Sequence, residues 1–160
     1  MNFKSKREID METVKTQTAV VDNLNQLLID YQVHYQNLRL FHWNVKGPFF
    51  FVLHDKFEEL YLEAAEKIDE VAERILALNG TPKASLASIT SNATIPAADE
   101  LIDANDMVKA ILGANETLVK EVNAVLSSAA EEEDEGTLDI FTGYIRELEK
   151  QNWMLRSFLN

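Results

Sequence analysis

From Val14 to Phe41 the chain carries neither glycine nor proline. Apolar residues recur there at Val20, Leu24, Leu27, Leu28, Tyr31, Tyr35 and Leu38, mostly three or four apart, the spacing of one face of an α-helix. A second such stretch opens at Pro48, which suits a first helical turn because the N–H it lacks would have no partner there. It continues to Asn79, with Gly80 and Pro82 beyond as a stop. At ~1.5 Å per residue this second helix should be ~45 Å long. The whole chain of 160 residues has five glycines and three prolines. So few breaks argue against the frequent turns of a β-sandwich and for long helices.

Between these helices, His42 to Gly47 supplies a loop. Thr81 to Ile102 is richer in Ser, Thr, Ala and Pro and reads as a connection crossing the molecule, with room for a short helix near Leu86. A third helix is expected after an Asp103 cap, reaching Ser128. Glu131 to Glu135 reads as a solvated acidic link, and a fourth helix covers about Glu135 to Phe158, turning Leu138, Phe141, Ile145, Leu148 and Leu155 inward. The predicted fold is all-α. Four helices with short links at both ends and one long middle crossover match the ferritin-like variety of four-helix bundle. Residues 13–160 form that single domain in this reading, behind a flexible tail over residues 1–12.

There is no cysteine, which excludes disulfides, thiolate metal sites and cysteine nucleophiles. The first ten residues have a basic flavour but no apolar stretch, unlike a secretory signal. The longest apolar run, Phe49 to Leu53, falls far short of the roughly 20 residues a membrane span needs, so a cytoplasmic setting is expected. A formal net charge of −12 repels nucleic acid and draws cations toward acidic clefts.

The histidines are His34, His42 and His54. A di-iron centre inside one bundle uses two Glu-x-x-His motifs, and here Tyr31, Arg39 and Phe51 stand three residues before the histidines. The second helix offers a different pattern. His54 and Glu58 are four apart, as are Asp69 and Glu73, so each pair shares a face one turn apart. The four positions lie within about a 100° arc, yet Glu58 and Asp69 are separated by ~16 Å along the axis. Metal–ligand bonds are about 2 Å. One helix therefore cannot gather all four around one ion. An antiparallel copy can: a two-fold axis near Glu63 and Ala64 sets His54 and Glu58 of one chain opposite Asp69 and Glu73 of the other, giving two equivalent sites per dimer. Ala65 and Ala72 on that face allow close approach, and His42 completes the half-site if the first helix ends beside the second. Imidazole plus carboxylates suits iron, zinc or manganese.

The run His42-Trp43-Asn44-Val45-Lys46-Gly47-Pro48-Phe49-Phe50-Phe51-Val52-Leu53-His54-Asp55-Lys56-Phe57-Glu58-Glu59-Leu60-Tyr61 resembles the signature of the Dps family of ferritin-like cages, and Asp69-Glu70-Val71-Ala72-Glu73-Arg74 continues it in register. The resemblance covers essentially the whole chain. It implies iron as the metal, oxidation of Fe(II) with hydrogen peroxide preferred (a ferroxidase activity), storage of the ferric product, and a hollow homo-dodecamer built from two-fold dimers. It assigns iron to His42, His54 and Glu58 of one subunit and to Asp69 and Glu73 of its mate. The family usually has Asp where Glu58 stands, so direct or water-mediated contact stays open there. Trp43, beside His42, is a candidate to absorb a stray oxidising equivalent, although packing is its ordinary role. Asp139, and less so Asp134, match acidic residues that line iron-entry pores in the family.

The plainer readings are these. His34 is structural, Trp153 belongs to the core or an interface, and Phe49 to Phe51 are packing anchors. An alternative function is that of an architectural DNA-binding protein with a secondary ferroxidase activity. Binding of that kind rests on several Lys or Arg neutralising phosphates. Here Lys4, Lys6, Arg7 and Lys15 are offset by Glu8, Asp10 and Glu12, so weak or absent DNA binding is expected.

Overall fold

The computed structural model describes residues 4–98 and 102–160, with side chains from Ala19 onward. The described residues form five helices: α1 (Lys4–Asn44), α2 (Phe50–Ala77), α3 (Leu86–Asn92), α4 (Ala104–Glu131) and α5 (Glu135–Leu159). The four long helices make the bundle, and α3 lies in the crossover between α2 and α4. α1 packs on α2, α4 and α3, and α4 packs on α5. No helix among the described residues is long and apolar enough to cross a membrane. The tail expected over residues 1–12, with its basic side chains, lies outside the residues whose side chains are described.

Burial follows the periodicity. Val20, Leu24, Leu27, Leu28, Tyr31 and Leu38 of α1 are buried, as are Phe141, Leu148 and Leu155 of α5, while Tyr35, Leu138 and Ile145 pack on the core's edge. Full burial of one such Leu is worth roughly 1.5–3 kcal/mol, so the stripe rather than any single contact holds the bundle.

The helix ends differ in detail from the expectations. α2 starts at Phe50, two residues after Pro48, which sits in a turn closed by a bond from Phe50 N to Gly47 O (3.1 Å). α2 also ends earlier than expected, at Ala77, and Asn79, not Gly80, takes the left-handed conformation (φ 60). Asn79 N then bonds Leu76 O and Gly80 N bonds Ile75 O, which satisfies carbonyls the last turn would leave bare. Gly80 is required for space instead: a Cβ there would meet Val21 Cγ1 at 2.7 Å. The same motif closes α4 at Glu133 (φ 57), with Asp134 N bonding Ala129 O. The acidic stretch is thus a structured turn. Asp134 caps α5 by accepting from Thr137 N, as Asp103 caps α4 by accepting from Asp106 N.

Outside α3 the crossover lacks a ladder of its own, and α1 supplies its partners from buried polar side chains. Asn25 accepts from Lys83 N (2.6 Å) and donates to Thr81 O (3.2 Å). Asn37 accepts from Ala98 N and donates to Pro96 O, both 2.9 Å. Asp30, fully buried, accepts from Thr94 N (2.8 Å) and Ile95 N (2.6 Å) through one oxygen and from Gln26 Nε2 (2.7 Å) through the other. Glu121 of α4 faces this carboxylate. Burial first, then the neighbouring Asp30, pushes the Glu121 carboxyl from 4.5 up to about 9. Its proton completes the network, because a carboxylic acid can donate to Asp30 where a carboxylate cannot.

The folded chain therefore holds the Glu121 proton more tightly than the unfolded one. The stability this contributes is full below pH about 4.5 and drains away as pH rises toward about 9. Glu121→Gln keeps a donor facing Asp30 without a proton to lose. Its melting temperature should rise relative to the parent as pH increases through that window, and a gap that stays constant with pH would contradict the shared proton.

Candidate metal centre

α1 ends beside the first turns of α2, and this junction brings His42 and His54 together. Their rings stack with centroids 3.8 Å apart and planes 19° apart. Each ring also bonds the other residue's backbone: His42 Nδ1 lies 2.8 Å from His54 O, and His54 Nδ1 lies 2.9 Å from His42 O. A carbonyl oxygen can only accept, so both Nδ1 atoms carry the proton. In the neutral imidazole each Nε2 then keeps its lone pair, and neither has a hydrogen-bond partner among the described residues. This is the arrangement in which a histidine's outer hydrogen bond orients it as a metal ligand. His42 is buried and His54 half-buried. Phe50 stacks on His54 at 5.0 Å and Tyr61 meets His42 edge-on at 5.3 Å, which walls the pair on two sides.

Glu58 lies one turn beyond His54 and is exposed. Tyr61 Oη donates to it at 3.4 Å. Loss of surrounding water, then the Glu58 charge and this bond, hold the Tyr61 hydroxyl above the usual phenol range, so it stays a donor. Asp69 and Glu73 stand further along α2, exposed, with no hydrogen-bond or ion-pair partner among the described residues. They do not meet the histidines within one chain. Among the described residues, no three His, Asp or Glu side chains come close enough together to hold a metal ion.

The outward stripe of α2 is not purely polar. At ~100° per residue, Phe51, Leu62 and Leu76 fall within about 60° of each of Glu58, Asp69 and Glu73. These three apolar side chains are 79%, 53% and 58% exposed. An acidic face interleaved with large apolar groups has unspent burial of its own.

The remaining candidates are dispersed. Trp43 is 56% exposed and carries the Arg39 guanidinium 4.8 Å above its ring. Arg39 also lies 5.2 Å from the Tyr35 ring, and Tyr35 meets Tyr61 at 6.1 Å. The position of Arg39 four residues from both Tyr35 and Trp43 makes this stack a helical contact legible in the sequence. Asp139 is exposed on α5. Asp134 is engaged: its Oδ1 pairs with Arg74 Nη2 at 2.7 Å. Burial works against its ionisation, but the Thr137 hydrogen bonds and the Arg74 guanidinium outweigh it and hold the carboxyl below its ordinary range. His34 is buried, and burial lowers it to about 4, a neutral structural histidine. Trp153 is 61% exposed and outside the core, and of the three phenylalanines only Phe50 is half-buried.

Comparison with known proteins gives a consistent match along the chain. The family profile described as a ferritin-like domain matches residues 21–160. The DNA protection during starvation protein 2 of Bacillus anthracis is 45% identical over 141 residues, 88% of this chain and 97% of that relative. The DNA protection during starvation protein of Brevibacillus brevis is 42% identical over 143 residues, 89% and 96% of the two chains. Among solved structures, a Dps protein of Vibrio cholerae O1, described as a member of a broad superfamily of ferritin-like diiron-carboxylate proteins, has a TM-score of 0.88 at 39% identity, covering 91% of this chain and 92% of that one.

The clasp between the two histidines also ties α1 to α2. His54→Ala removes one hydrogen bond and the ring stack, which should cost about 1–2 kcal/mol. A lowered melting temperature in protein never exposed to metal is the expected outcome, and an unchanged one would show that the clasp contributes nothing to the fold.

Proposed function

The chain belongs to the Dps family of ferritin-like proteins, and from that premise we propose that it oxidises Fe(II) at sites completed by two chains and stores the ferric product within an assembly of its own copies. The observation that carries this reading is the clasped pair His42 and His54, with both Nε2 lone pairs uncommitted. His42, His54 and Glu58 would bind iron from one subunit, and Asp69 and Glu73 from the mate. The proposed two-fold contact would cover Leu62, which stands beside the expected axis and is 53% exposed in the single chain. Two irons held together can supply two electrons at once, which reduces hydrogen peroxide to water without releasing a hydroxyl radical. Peroxide is accordingly the proposed oxidant, and a dodecamer the proposed assembly.

Protection of DNA, named in the relatives, then follows from removing Fe(II) and peroxide, with no need for contact. Trp43 is a secondary candidate for taking up a stray oxidising equivalent. Asp139, exposed and near the start of α5, is the better proposed pore residue; Asp134 already has a cationic partner in Arg74. An architectural DNA-binding role is less favoured, because a net charge of −12 opposes approach to phosphate.

Subunit complementation tests the shared site. Chains carrying His54→Ala and chains carrying Asp69→Asn should each oxidise Fe(II) slowly with peroxide. Assembled together at random, they should recover about a quarter of the parent rate, because each mixed dimer contains one intact site. Recovery no greater than the sum of the two parents of the mixture would sink the inter-chain assignment.

In a gel-retardation assay at physiological salt, the assembled protein should leave linear DNA unshifted. Tight binding that weakens steeply with added salt would favour the architectural role instead.

A further inference from the structure

The centre of the bundle contains a charge where its packing calls for an apolar group. α2 turns Leu53, Phe57, Leu60, Ala64, Val71 and Ile75 into the core, and Lys67 occupies the same stripe. Its side chain is only 9% exposed. The Nζ atom pairs with Glu63 at 3.1 Å and with Glu147 of α5. It also lies 4.5 Å from the centre of the Tyr144 ring. Gln151 Nε2 donates to both oxygens of Glu63, at 2.9 and 2.8 Å. Beside Lys67 is a cavity of about 10 Å³ lined by Tyr31, His34, Glu63, Asn115 and Gln151. Tyr31 Oη and Asn115 Oδ1, from α1 and α4, are buried and have no hydrogen-bond partner within the described chain. Oxygen donors from all four long helices therefore converge on one layer.

Ferritin-like bundles can hold a metal pair in that layer, using inward carboxylates from two helices and a Glu-x-x-His from each of the others. The residues here do not fit such a resident centre. No Glu-x-x-His occurs in the chain, and the ammonium group already neutralises the carboxylates a dication would need. A lysine buried this far is tolerated only because it is paired, and its ammonium already occupies the carboxylate oxygens of Glu63 and Glu147 that an incoming metal would have to reach.

We propose that Lys67 is a built-in counter-cation that bars divalent metal from the bundle's centre, and that a neutral side chain in its place opens a metal site made of Glu63, Glu147 and the buried Tyr31 and Asn115 oxygens. Lys67 is on this account a selectivity residue. It determines which carboxylates of an iron-handling fold are available to metal. The inference does not depend on where else the chain binds iron.

Co(II) bound per chain, counted by equilibrium dialysis on the intact assembly, tests it. Lys67→Met should bind about one Co(II) more per chain than the parent, with a new visible absorption band from the added ion. Adding Glu147→Gln to Lys67→Met should abolish the increment. Lys67→Arg, which keeps the cation, should match the parent. The increment should persist in a His54→Ala background, so its presence or absence is read separately from the proposed inter-chain site. Helical content by circular dichroism checks that each variant is folded. If Lys67→Met proves unstable, Lys67→Gln, whose amide can still donate to Glu147, carries the same count. A folded neutral variant that binds no more Co(II) than the parent overturns the proposal.

Discussion

A continuous helix cannot bring its own distant side chains together, and α2 is an uninterrupted helix of 28 residues whose two faces have different work. One stripe, Leu53 through Ile75, is buried in the core of the bundle. The outward stripe, about 100° or more around the axis, carries Glu58, Asp69 and Glu73 together with Phe51, Leu62 and Leu76. Rigidity follows from the unbroken backbone ladder and from the packing of the first stripe. The same rigidity holds Glu58 and Asp69 ~16 Å apart. Anything that requires those carboxylates around one ion must recruit a second rod, and this geometric demand underlies the proposed assembly.

The polar groups inside the bundle fall into two sets with different purposes. Asn25, Asp30 and Asn37 on α1 bond the backbone of the crossover, which would otherwise bury unpaired N–H and C=O groups. Arg74 and Asp134 similarly fasten α2 to the start of α5. Lys67 and Tyr144, both buried, instead meet Glu63 and the half-exposed Glu147 in a charged cluster that reaches the surface, where Tyr144 Oη donates to Glu70 at 2.6 Å. Such clusters cost desolvation and return it only when every member is paired. The first set explains how a long crossover can lie flat on the bundle. The second leaves the bundle's middle with a lysine in place of a core side chain.

Much of this was readable from residue spacing. The four long helices, the crossover, the Asp103 cap and the buried faces of α1 and α5 follow from periods of three and four and from sparse breakers. The misses have local causes. Pro48 suits the first turn of α2 by its chemistry, but the turn closed at Gly47 delays the first helical residue to Phe50. Gly80 was expected to stop the helix through its backbone freedom, whereas Asn79 adopts the left-handed turn and Gly80 makes room for Val21. The acidic run before α5 resembled a solvated link because charge alone does not reveal the Thr137 and Arg74 partners of Asp134. Lys67 stands in register between Ala64 and Val71, and a lysine at a core position is the sequence signal of the buried charge.

The sequence by itself determined the elements, the family signature and the candidate donors, because helical periodicity and residue chemistry are local properties. It also excluded thiolate chemistry through the absence of cysteine. Only the tertiary structure decided that the ends of α1 and α2 clasp His42 and His54 through each other's carbonyls, which selects the tautomer with both Nε2 atoms bare. It alone showed that Glu121 faces Asp30 and that Lys67 sits between Glu63 and Glu147. A tautomer, a shared proton and an internal ion pair depend on distances of a few ångströms between residues remote in the chain. Those distances exist only once the helices have packed.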